Sequence, residues 1–74
     1  MFFVIELQTN ADGTTGSIVT AYAERDAAES AYLTIRNAAL QSAVLVHTAV
    51  LMDNRGRTIE SKAYIHPGQA ADAE

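Results

Sequence analysis

Ala43 to Met52 reads AVLVHTAVLM, and the turn formers Asp53-Asn54-Arg55-Gly56 separate it from Arg57 to His66, RTIESKAYIH. Only His47 and Thr48 break the apolar run, and the second segment alternates, so the pair predicts a β-hairpin whose first strand is apolar on both faces. Such a strand needs a cover on each side of its sheet. A chain of 74 residues with one long helix supplies one of them. The second is expected to be another copy, a partner or a ligand.

The turn sets the expected register. Asn54-Arg55-Gly56 suits a three-residue loop, a type I turn closed by Gly56 in the left-handed region as a G1 bulge, with Asp53 opposite Arg57. Continued without interruption, this places Leu51 opposite Ile59, Ala49 opposite Ser61, His47 opposite Ala63 and Leu45 opposite Ile65 on one side of the sheet. Val50 with Glu60, Thr48 with Lys62, Val46 with Tyr64 and Val44 with His66 take the other side. The first side is the more apolar and makes the better bed for a helix. The second presents Val44, Val46, Val50, Met52 and Tyr64, which are the expected interface residues. A slip of one residue would exchange the sides of one strand.

Upstream, Phe2 to Gln8 sets Phe3, Ile5 and Leu7 on one face and Phe2, Val4 and Glu6 on the other, the pattern of a central strand. Asn10 to Gly16 is rich in turn formers and predicts a hairpin with a loose tip; Ser17 to Tyr22 follows as a strand or as an extended lead-in to a helix. Asp26 and Glu29 have the spacing of a capping box, so the helix is expected from about Ala27 to Gln41. Ala28, Ala31, Tyr32, Ile35, Ala38 and Ala39 form its apolar stripe, while Leu33 and Leu40 fall outside it as rim contacts or a second interface. The expected fold is a small α+β domain, ββαββ, with an antiparallel sheet and one helix packed on one face. It spans residues 1–66, and residues 67–74 are expected to form a disordered tail.

Composition narrows the partners. Net charge is −4, with five Lys and Arg against nine Asp and Glu, which leaves little to neutralise a run of phosphates, so nucleic acid is not expected. No stretch approaches the ~20 apolar residues of a membrane-spanning helix, and MFFVIELQ lacks a basic leading region, so a cytoplasmic protein without membrane contact is expected. Without cysteine there is neither a disulfide framework nor a thiolate metal site.

Chemistry-bearing patterns are sparse. His47 and His66 fall on opposite faces in the expected register and form no metal pair within one chain; His47 lies where it would meet Tyr32 under the helix. Glu24, Asp26 and Glu29 suit the positive end of the helix dipole, and Glu60 with Lys62 suits an edge strand. Ser17, Ser30, Ser42 and Ser61 lack a nucleophile-elbow context, and the glycines of ADGTTG fit no phosphate-binding loop. The small tautomerases carry a proline where this chain has Phe2. Dodecin-like flavin binders, whose outline of a helix on an antiparallel sheet it resembles, stack flavin on a sheet aromatic for which Tyr64 alone is present. Neither pattern assigns a family, and no cofactor, metal or catalytic residue is expected. The expected function is a non-enzymatic, homodimeric interaction or structural module that also admits another protein as partner. The alternative is a small-molecule binder or enzyme with a site near His47, between helix and sheet or between subunits.

Overall fold

Two hairpins and a helix account for the described residues: β1 (Phe2–Thr9), β2 (Thr15–Tyr22), α1 (Arg25–Leu40), β3 (Val46–Asp53) and β4 (Thr58–Ile65). The structure is a computed structural model and describes residues 1–66; the tail expected over 67–74 lies outside the described residues. The strands form one antiparallel sheet in the order β2-β1-β3-β4, with α1 packed on one face, so the ββαββ expectation holds. β1 lies centrally, as its two apolar faces imply, and Ser17 to Tyr22 belongs to a true strand.

Both hairpins close with the same turn. Gly56 N–H donates to the Asp53 carbonyl (3.2 Å) and Asp53 N–H to that of Arg57 (3.0 Å), with Gly56 at φ +87°, the left-handed residue the loop requires. The first turn repeats this through Gly13 and Asn10 (2.9 Å) and Asn10 and Thr14 (2.8 Å), with Gly13 at φ +90°. Its tip is knit rather than loose. The Asp12 carboxylate accepts from Thr14 N–H (3.0 Å) and Oγ–H (2.7 Å), and Asn10 Nδ2 donates to Thr14 Oγ1 (2.9 Å). These bonds hold the Asp12 carboxyl below its ordinary range.

The helix starts two residues earlier than its sequence signal. Glu24 is the N-cap residue, with extended backbone and no capping side chain; Asp26 lies in the first turn, and Glu29 pairs with Arg25 (2.8 Å) instead of reaching back to a cap. Arg25 offers Glu29 a partner one turn away, which the capping box would have to give up. The stripe of Ala28, Ala31, Tyr32, Ile35 and Ala39 faces the sheet, while Ala38, Leu33 and Leu40 are exposed. Small alanines bring the helix backbone close to Val4, Ala49 and Leu51, and Phe2, Tyr22 and Ile59 close the margins of this core.

The second hairpin departs from the expected register just beyond its turn. A bulge intervenes where Ile59 would have met Leu51: Met52 pairs with Thr58 but Leu51 pairs with Glu60, and from there Ala49 meets Lys62, His47 meets Tyr64 and Val46 meets Ile65. The extra residue lets Ile59 stay against the core while the rest of β4 exchanges faces. Tyr64 thereby moves to the helix side, beside His47. His66 follows it, so the two histidines share a face. His66 Nε2–H donates to the Ala39 carbonyl (2.8 Å), a helix-end acceptor that it shares with Ser42 N–H (3.3 Å).

Candidate functional site

The face of the sheet turned away from α1 is assembled by alternation. Its central row runs Val19, Ile5, Val50, Ser61 across the four strands, flanked by Ala21, Phe3, Met52, Thr58 on one side and Ser17, Leu7, Thr48, Ala63 on the other, with Thr15, Thr9, Val46 and Ile65 at the far end. Every one of these residues is uncharged. The strand carboxylates and ammonium groups, Glu6, Asp53, Glu60 and Lys62, all lie on the helix side or at a turn. This reverses the usual division, in which a half-covered antiparallel sheet turns its polar residues to water. Leu7, Val19 and Ile65 are 42%, 60% and 64% exposed, and Phe3, Ile5, Val46, Val50 and Met52 are half-buried by their neighbours.

Of the expected interface residues, Val46, Val50 and Met52 lie on this face. Val44 precedes β3 and is tied down by its N–H to Ser42 Oγ (3.0 Å). Tyr64 does not belong to the face, because the bulge at Ile59 turned it inward. Phe3, Ile5 and Leu7 of β1 do belong to it and were absent from the expected interface. Their alternation placed them on one side of β1; only the pairing of β1 with β3 shows that this is the side of the valine row.

On the helix side a polar cluster interrupts the core. Glu6 and His47 sit diagonally across β1 and β3, and His47 Nε2 lies 2.6 Å from Glu6 Oε2, which also accepts from Gln8 Nε2 (3.1 Å). No hydrogen bond joins His47 to Tyr32; the carboxylate takes that place. A carboxylate only accepts, so Nε2 carries the hydrogen, and His47 Nδ1 is left buried without a partner among the described residues. His47 is 4% exposed. The pair therefore ties the two central strands together. The signal for it was present: Glu6 is the one ionisable residue of β1, and His47 the one ionisable residue of β3 before Asp53 at its end.

Around this cluster, Lys62 Nζ lies 5.4 Å from the centre of the Tyr64 ring and the Arg36 guanidinium 6.0 Å from that of Tyr32. Burial, with the Glu60 carboxylate adding to it, raises the Tyr32 phenol above its ordinary range. At the first-turn end of the β1–β2 hairpin, Leu7, Gln8, Thr9, Thr15, Gly16 and Ser17 line a shallow recess, which includes neither His47 nor a tyrosine. Among the described residues no group of three or more His, Asp or Glu is placed to hold a metal ion, and no helix is long and apolar enough to cross a membrane. Compared with known proteins, the chain matches no protein family, no curated protein and no solved structure.

Proposed function

We propose that this chain is a non-enzymatic self-associating module in which two copies pack the uncharged faces of their sheets together. The observation that carries the reading is the complete absence of charge on the face turned away from α1, in a chain whose net charge is −4. Two negatively charged copies repel, and a face that carries none of that charge is where their approach costs least. Strands ~4.8 Å apart with a rise of ~3.3 Å per residue give four eight-residue strands a face of about 500 Å² in projection. Two such faces bury about 1,000 Å², the lower bound for a specific interface. A two-fold axis makes the contact self-complementary, and stacked sheets interdigitate side chains as the Val19, Ile5 and Val50 row permits.

Sedimentation velocity over a range of concentrations tests this with the wild type and Val50→Asp. The wild type is expected to associate as its concentration rises. The variant, which sets a carboxylate at the middle of the face, is expected to lose the face-to-face contact and to sediment as a smaller species than the wild type at the same concentration, with an unchanged far-ultraviolet spectrum. A wild type that stays monomeric to millimolar concentration refutes the proposal.

A further inference from the structure

The two edges of the sheet are built differently. β4 is guarded in the ways that keep edges from pairing: it is interrupted by the bulge at Ile59 and carries Glu60 and Lys62. β2 has no guard. From Thr15 to Tyr22 it contains no charge and no proline, its register with β1 is unbroken, and every residue before Tyr22 is exposed. Ile18 is the least expected of these, a large apolar side chain 58% exposed on the helix side of the sheet, opposite Glu6.

We propose that β2 is the strand through which two copies join edge to edge, antiparallel, into one continuous sheet. This surface differs from the face described above, and the inference does not depend on that reading. Its register follows from the hairpin. Asn10 N–H bonds to the Thr14 carbonyl, so by alternation Gly16, Ile18, Thr20 and Tyr22 direct their amides toward β1, while Thr15, Ser17, Val19 and Ala21 direct theirs to the open edge. One two-fold register pairs all four outward residues: Ser17 with Val19 and Thr15 with Ala21 of the second copy. It forms about eight hydrogen bonds, two for each closely spaced pair. The axis then passes between the two copies of Ile18, which cover one another, and this accounts for their exposure in the single chain. A second copy is favoured over a foreign peptide because this register leaves no outward amide of β2 unpaired and sets no charge against another.

Amide hydrogen exchange tests the proposal. At millimolar concentration the amides of Thr15, Ser17, Val19 and Ala21 should exchange about tenfold or more slowly than at ten micromolar, since mass action protects only the paired edge. Val19→Pro removes an outward donor and none of the β1 bonds, so it should abolish this protection; Ser17→Lys with Val19→Lys should do the same by charge repulsion should proline disturb the hairpin. Running the measurement in Val50→Asp separates the two surfaces. Edge protection that survives in that variant belongs to β2 alone. If all four amides exchange at the same rate at both concentrations, in the wild type and in Val50→Asp, β2 does not pair.

Discussion

Replacing Glu6 with Met removes the acceptor of His47 Nε2–H and keeps most of the side chain's length. His47 is 4% exposed and its Nδ1 already lacks a partner among the described residues, so the change leaves both nitrogens buried and unsatisfied there. One orphaned buried donor costs about 1–3 kcal/mol. In a domain of this size each kcal/mol lowers Tm by about 4–8 °C. His47→Leu is expected to cost less than Glu6→Met, because the carboxylate it strands keeps Gln8 and, with its side chain 18% exposed, reaches water. The double variant carries neither orphan, so it should be at least about 1 kcal/mol more stable than Glu6→Met alone, as when both members of a buried pair are replaced by apolar groups. Urea unfolding followed by circular dichroism measures all four corners of the cycle, at one fixed protein concentration because association adds to apparent stability. Effects that add to within about 0.5 kcal/mol would show that the two groups do not interact in solution and would refute the account of the pair.

Gly56→Ala forces a side chain into the left-handed region at φ +87° and should destabilise by about 1–2 kcal/mol in the same urea assay, whereas Gly16→Ala, on extended backbone with open space around it, should stay within about 0.5 kcal/mol of wild type. Tyr32 gives an alkaline signature. Its phenol ionises less readily folded than unfolded, so the unfolded state loses its proton first and stability falls as pH rises above the unfolded value of ~10. Melting curves between neutral pH and pH 11 should show a smaller alkaline decline for Tyr32→Phe than for the wild type; equal declines would contradict the assignment to this phenol.

Most local signals in the sequence read well, the Asp26–Glu29 capping box and the loose first turn excepted, and the long-range ones did not. Asn54-Arg55-Gly56 named its own turn, and the alanine stripe named the helix face, because each is decided by residues a few positions apart. The register of β4 was decided elsewhere: by Ile59 seeking the core and by His66 meeting the Ala39 carbonyl across 27 residues. A turn cannot report on either, so Tyr64 was assigned to the wrong side. The valine row itself was legible, since three members of β3 stayed on the face their alternation implied. Its completion by Phe3, Ile5 and Leu7 was not, nor was the meeting of Glu6 with His47, because both depend on β1 lying beside β3 in a strand order that the sequence does not spell out. The unguarded edge could be known only once β2 proved to be outermost.

That strand order bears on how each molecule is made. β1 is flanked by β2, its neighbour in sequence, and by β3, which begins at Val46. During synthesis from the N-terminus the first hairpin is therefore complete while one long side of β1 still waits for a strand not yet translated. In that interval FFVIELQT is an oily ribbon whose one acidic residue is Glu6, still without His47, the kind of side chain that flanks or interrupts apolar strands prone to aggregate. The carboxylate that meets His47 in the finished sheet is thus also the one polar break with a charge-bearing group in the strand that must wait longest for its second neighbour.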